Sequence, residues 1–306
     1  MKKQTQFTEK HIAQKRPAWI RSKITLDKNF LNIQELLRKK NLNTVCVEGA
    51  CPNKGECWSS CHVTFMILGK VCTRKCLFCN VTGGIPKKID LQETKKIALA
   101  IKEMSAENIV ITSVTRDDLP DKGLSQFLNM VRDIKSLSPK TRIELLVPDF
   151  GANETFIKKI AFSGAEVIGH NIEMPPALYP VIRPSADYNI SIKTINLLNR
   201  SKIDGASILV KSSLMVGLGE SSEDILRTLE DLKSAGTDIV YIGQYLSPSP
   251  KHWPVKKYYT PEEFKFFEQK AYETGFSAVC AGPLVRSSYR AGEFFFKKLC
   301  RTFCKE

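Results

Sequence analysis

From residue 63 onward, short apolar runs alternate with segments in which apolar residues recur every three to four positions. The runs Val63–Leu68, Asn108–Val114, Arg142–Val147, Glu166–Gly169, Ser207–Met215 and Asp238–Ile242 predict strands. Between them, Ile97, Ile101 and Met104 predict a helix behind an Asp90/Glu93 capping box. Leu124, Phe127, Leu128, Val131 and Ile134 predict a second, and further helices fit around Thr155–Ala161, Asn189–Leu198 and Ser222–Leu232. Thr260-Pro261-Glu262-Glu263 is a helix start, with a Thr cap, Pro at the first helical position and Glu at the third. Strands that alternate with helices imply a parallel sheet. Six such units without a G-x-G-x-x-G after the first strand predict an α/β fold of the incomplete (βα)6 TIM-barrel type. The expected division is an N-terminal extension over 1–62, the partial barrel over 63–255 and a C-terminal extension over 256–306.

Polar residues gather just after the strands, where such barrels carry their sites. They include Thr112 and Ser113, Arg116 to Asp118, His170, Asn171 and Glu173, Gly217 to Glu220, and Gln244. Taken singly, each is equally well an ordinary loop residue.

The net charge of +14 points to an acidic partner or simply to a well-solvated surface. Basic residues are spread along the chain without a nucleic-acid motif, so no nucleic-acid partner is expected. No run of about 18 apolar residues is present, so no membrane span is expected. The opening Met1-Lys2-Lys3-Gln4-Thr5-Gln6 lacks the apolar stretch of a secretory signal. A cytoplasmic location is expected, with an organellar one left open.

Ten cysteines would need an oxidising compartment to serve as disulfides, and seven of them lie between Cys46 and Cys79. That clustering favours metal ligation. Cys72-Thr-Arg-Lys-Cys76-Leu-Phe-Cys79 puts three thiols on one short loop. A [4Fe–4S] cubane normally takes four cysteines, so a loop with three leaves one iron open to a substrate or cofactor. Radical S-adenosylmethionine (SAM) enzymes make that open iron with a C-x3-C-x2-C loop. The alternative is a zinc site completed by a distant residue such as His62. A second triplet, Cys46, Cys51 and Cys57, is spaced too irregularly for a common zinc finger. Cys300 and Cys304 lie four apart, and they and Cys61 and Cys280 take no assigned role.

With Arg286-Ser287-Ser288-Tyr289 near its end, the chain resembles the lipoyl synthases in almost every segment from Arg16 to Gly292. The matching stretches include CPNKGECW, TFMILG, VCTRKCLFC, ITSVTRDDL, LVPDF, HNIE, VIRPSADY, LMVGLGE, GQYLSPS and VRSSY. The resemblance implies a sulfurtransferase that inserts sulfur at C6 and C8 of an octanoyl chain amide-linked to a lysine of a carrier protein. It implies two [4Fe–4S] clusters and SAM as cofactors. Cys72, Cys76 and Cys79 would hold the cluster that binds and cleaves SAM into methionine and a deoxyadenosyl radical. Cys46, Cys51 and Cys57 would hold an auxiliary cluster that is the sulfur source. The fourth auxiliary ligand would be a serine of the RSSY motif, mapped to Ser288, with Ser287 one position away. Asn171, Glu173, Arg183 and Gln244 would contact SAM. Implied partners are octanoylated lipoyl domains, such as a 2-oxoacid dehydrogenase E2 component or the glycine cleavage H protein, and an electron donor such as ferredoxin or flavodoxin. The acidity general among such carriers fits the basic charge. A tRNA methylthiotransferase-like enzyme with two clusters is the alternative, and it resembles this chain mainly at the Cys72 loop. Asn80 stands where many members carry Asp, and Ser60-Cys61-His62 where His-Gly-Thr is common.

Overall fold

The computed structural model describes residues 15–22 and 25–292. Seven strands form its main sheet: β1 (Thr64–Ile67), β2 (Asn108–Ser113), β3 (Arg142–Leu146), β4 (Val167–Gly169), β5 (Leu209–Val216), β6 (Ile239–Gln244) and β7 (Ala278–Gly282). They lie side by side in chain order, and every neighbouring pair is parallel. Parallel neighbours need a crossover. Helices Glu93–Glu103, Leu124–Leu137, Glu154–Ala161, Tyr188–Ile203, Ser222–Ser234 and Pro261–Thr274 supply it. Sheet strands covered by helices are buried on both faces, and all six residues of β6 are. The helix Leu124–Leu137 turns Phe127, Met130, Val131 and Ile134 onto the sheet.

Among the described residues β1 and β7 do not pair, so the barrel is partial and open on one side. The six expected strands lie on the apolar runs, with ends moved by a residue or two. β7 is an addition, formed inside the segment expected to be an extension. It continues the sheet from Ile239↔Ala278 to Gly243↔Gly282. Capping boxes form at Ser221/Asp224 and at the expected Thr260/Glu263.

The expected Asp90/Glu93 box does not form. Gln92 precedes the helix without a side-chain cap, and the Asp90 carboxylate instead accepts from the Gln92 N–H at 2.8 Å. Buried Glu93 turns back to the end of β1, where it accepts from the N–H groups of Leu68 at 2.7 Å and Gly69 at 3.3 Å. Those two donors leave the sheet just before the cysteine loop, and the buried Leu68 N–H would otherwise lack an acceptor.

The two extensions meet over the open side. Asn43 O accepts from Met66 N at 2.9 Å, and Thr44 bridges Phe65 on the free edge of β1. Beyond β7, Leu284 O accepts from Asn53 Nδ2 at 2.6 Å, and Tyr289 OH donates to Glu56 Oε1 at 2.9 Å. The helix Lys28–Lys40 backs this lid by stacking Phe30 on Trp58, with ring centroids 5.3 Å apart. No helix among the described residues is long and apolar enough to cross a membrane.

Candidate functional site

The loop from Cys72 to Cys79 leaves the sheet after β1 and is fixed at both ends. Cys72 lies in a short parallel ribbon, Val71–Cys72 against Thr82–Gly83. Thr73 N donates to Thr115 O at 3.0 Å, Leu77 N to Ile182 O at 2.8 Å and Trp253 N to Leu77 O at 2.9 Å. Arg74 N donates to Cys72 Sγ at 3.4 Å. Its guanidinium grips two carboxylates, one from the loop after β2 and one from the loop after β3. Nε and Nη2 donate to Asp117 at 2.7 and 3.0 Å; Nη2 also donates to Asp149 at 3.1 Å, and Nη1 donates to Asp149 as well.

Of the expected SAM contacts, three share one neighbourhood. Asn171 Nδ2 donates to Glu173 Oε1 at 3.1 Å. Arg183 lies in the fields of Glu173 and Cys76 and donates through Nη1 to Tyr179 OH at 2.9 Å. Its Nε is buried without a hydrogen-bond partner. Burial raises the Glu173 carboxyl above the usual range, with the Arg183 charge offsetting part of the rise. Burial likewise raises the Cys76 thiol and pushes Cys79 up to about 12.

Gln244 is elsewhere. Its Nε2 donates to the carbonyls of Val216, Tyr245 and Lys257 at 2.9–3.1 Å, and its Oε1 accepts from Tyr259 N at 2.9 Å. The amide braces the ends of β5 and β6 against the segment around Tyr259. Glu220 is similarly spent on the N–H groups of Gly217, Leu218 and Gly219.

The second triplet sits under the lid. Cys46, Cys51 and Cys57 line a cavity of about 30 Å³ together with Thr64, Arg286, Ser288 and Tyr289. Burial raises the Cys46 and Cys51 thiols and takes Cys57 to about 12. A second cavity of about 290 Å³ is lined by Cys51 from this set and Cys79 from the first. Its walls include Phe78, Met215, Tyr245, Leu246 and Pro248. Ser288 lines both cavities, whereas Ser287 lines the larger one alone.

The donor sets fit inorganic clusters better than single ions. A tetrahedral zinc site needs its donors to converge on one point. Among the described residues no three His, Cys, Asp or Glu side chains do so, whereas a cubane binds each thiolate through a different iron. Charge at the second set argues the same way. Arg286 is half-buried, and its guanidinium donates through Nη1 to Val285 O at 2.7 Å. Burial lowers its pKa, and the only favourable field on it is that of Cys51 as thiolate. An iron-bound thiolate set beside it would supply the negative charge that this cation faces. The buried Trp58 indole N–H faces the Cys46 sulfur and has no oxygen or nitrogen acceptor.

Reading the sequence assigned no role to Arg74, Arg286 or Trp58. Two signals were present, an Arg inside the cysteine loop and a Trp directly after Cys57. The carboxylate partners of Arg74 lie 43 and 75 residues away, so no local pattern reveals them. Cys280 is buried in β7 and Cys61 half-buried at a left-handed position, while Cys300 and Cys304 lie outside the described residues.

Residues 66–232 match the radical SAM superfamily. A curated lipoyl synthase from Alkaliphilus metalliredigens (strain QYMF) is 45% identical over 279 residues, 91% of this chain and 95% of that one. Among solved structures, methylornithine synthase superposes with a TM-score of 0.52 at 13% identity, covering 78% of this chain and 80% of that one. SuiB of Streptococcus suis, solved bound to S-adenosylmethionine, gives a TM-score of 0.56 at 11% identity over 82% of this chain and 58% of its own. These two likenesses establish the fold. The sequence relative, matched over nearly its full length, establishes the narrower group: the chain belongs to the lipoyl synthase family of the radical SAM superfamily.

Proposed function

We propose that this chain inserts sulfur at C6 and C8 of an octanoyl group carried on a lysine of a lipoyl domain. The observation that carries the reading is one cavity lined by a cysteine from each triplet and by Ser288. Cys72, Cys76 and Cys79 hold one [4Fe–4S] cluster, and Cys46, Cys51, Cys57 and Ser288 hold the other. When bound, the first cluster supplies the electron that cleaves SAM and the second supplies sulfur.

The remaining work falls to side chains. Asn171, Glu173 and Arg183 stand beside Cys76 as donors and acceptors for the polar ends of SAM. Phe78, Met215, Tyr245 and Leu246 give the acyl chain an apolar wall that keeps water from the reacting methylenes. Arg286 holds positive charge beside Cys51. Ser288 offers oxygen, a harder donor than thiolate and a more readily released partner for a cluster that must give up sulfur. Residues 25–62 and 283–292 form the auxiliary unit that closes the barrel side. Octanoylated E2 or H-protein domains are the proposed carriers, and ferredoxin or flavodoxin the proposed donor.

An anaerobic single-turnover assay with SAM, an octanoyl-lysine peptide and, in parallel, tRNA tests this by mass of product. Cys72→Ala, Cys76→Ala and Cys79→Ala should each abolish 5′-deoxyadenosine. Cys46→Ala, Cys51→Ala and Cys57→Ala should keep some SAM cleavage and give no thiolated octanoyl product. Sulfur on tRNA instead of the peptide would overturn the substrate. Equal loss of SAM cleavage in both sets, in folded protein, would overturn the division of labour.

A further inference from the structure

The side chain of Arg74 reaches from the Cys72–Cys79 loop to the loops after β2 and β3. Its fork bonds to Asp117 through Nε and Nη2 and to Asp149 through Nη1 and Nη2, so every guanidinium nitrogen is engaged. Its side chain is 9% exposed, that of Asp149 3% and that of Asp117 35%. Both carboxylates are themselves fixed. Asp149 accepts from Gly151 N at 2.8 Å, and its carbonyl accepts from Thr194 Oγ1 at 3.0 Å. Asp117 N donates to Thr73 Oγ1 at 3.1 Å. Against the cost of burial, the Arg74 guanidinium holds the Asp149 carboxyl well below the usual carboxylate range.

The same residue donates its backbone N–H to Cys72 Sγ at 3.4 Å. We infer that Arg74 is a positioning residue: the Asp117–Arg74–Asp149 clamp fixes the first arc of the loop so that this N–H points at the Cys72 sulfur and tunes the cluster held there. The inference rests on the cluster assignment proposed above. Hydrogen bonds to cluster sulfurs stabilise the more negative, reduced state and raise the reduction potential. Lysine cannot replace the fork, because it offers a point charge instead of paired planar donors.

The test uses full-length protein reconstituted with both clusters and the variants Arg74→Lys, Asp149→Asn and Asp117→Asn. The SAM-site cluster is followed by its reduced-state paramagnetic signal through a redox titration and a chelator challenge, with the auxiliary cluster as internal control. Arg74→Lys and Asp149→Asn should each lower the SAM-site potential and speed its iron loss by about tenfold or more, as loss of residues that orient metal ligands does. The half-exposed Asp117→Asn should have the smaller effect. The double variant Arg74→Lys/Asp149→Asn should be no worse than either single one, since both break one clamp. Unchanged potential and iron loss in folded Arg74→Lys and Asp149→Asn protein would overturn the inference, as would equal loss of both clusters. Wild-type protein that takes up no cluster at the Cys72 loop would instead overturn the cluster assignment.

Discussion

His170, 2% exposed at the end of β4, lets the buried electrostatics of the site be tested without any cofactor. Its Nδ1 lies 2.9 Å from Val147 O, which makes Nδ1 the protonated nitrogen, and its Nε2 is buried without a partner. Burial and then the Arg183 charge push its pKa from 6.5 down to about 4, against the pull of Asp149. The folded value lies below the unfolded one, so the unfolded chain binds more protons between them. Stability from this group is therefore complete above about pH 6.5, falls as pH drops towards 4, and falls no further below it. Between about pH 7.5 and about pH 5 the linkage relation gives a loss of about 2 kcal/mol from this residue alone. The perturbation is His170→Asn, which keeps a donor for Val147 O but cannot titrate. Urea unfolding of metal-free protein at a series of pH values reads the effect as the difference between wild type and variant, which removes the contribution of other groups. Wild type should lose about 2 kcal/mol more than the variant over that range. Parallel curves would show that His170 is not held neutral in the fold, and would remove the buried charge network from the account.

Gly243 packs so tightly that an added methyl would stand 2.0 Å from Val285 O, in the segment that carries Arg286 and Ser288. Gly243→Ala should cost about 1–3 kcal/mol and suppress thiolated product more than 5′-deoxyadenosine; equal loss of both would contradict the placement of that segment. Ser288→Ala should sharply reduce sulfur transfer while SAM still binds, Ser288→Cys should hold a stable cluster that releases sulfur poorly, and Ser287→Ala should be mild. Full product from Ser288→Ala with none from Ser287→Ala would move the ligand by one residue. Association with an acidic octanoylated carrier should slow with added salt if the +14 charge steers it; a salt-independent on-rate in stopped flow would confine that charge to solubility.

Six strands were legible because each carries an apolar run between turn signals. β7 was not, since Ala278-Val-Cys-Ala-Gly is short and built largely of small residues, and its place depends on pairing with β6. The helix Lys28–Lys40 hides in a basic segment whose buried side is only Phe30, Ile33 and Leu37. Glu93 mimicked a cap because residue types at capping spacing do not reveal a stronger acceptor need at Leu68 and Gly69. The cysteine triplets stood out because their chemistry demands particular residues at close spacing. Gln244 read as a site residue by its position at a strand end, and its bracing bonds to Val216, Lys257 and Tyr259 were not legible because those residues lie 13 to 28 positions away. The clamp on Arg74 and the placement of Arg286 beside Cys51 were illegible for the same reason, being made by residues that only the folded barrel brings together.

The central claim is that two separate cysteine sets hold two clusters around one cavity, and metal and sulfide analysis of anaerobically reconstituted protein tests it most directly. The account predicts about eight iron and about eight sulfide per chain, falling by half when either triplet is replaced by alanine. Zinc in place of iron, or saturation at about four iron in the wild type, would contradict it.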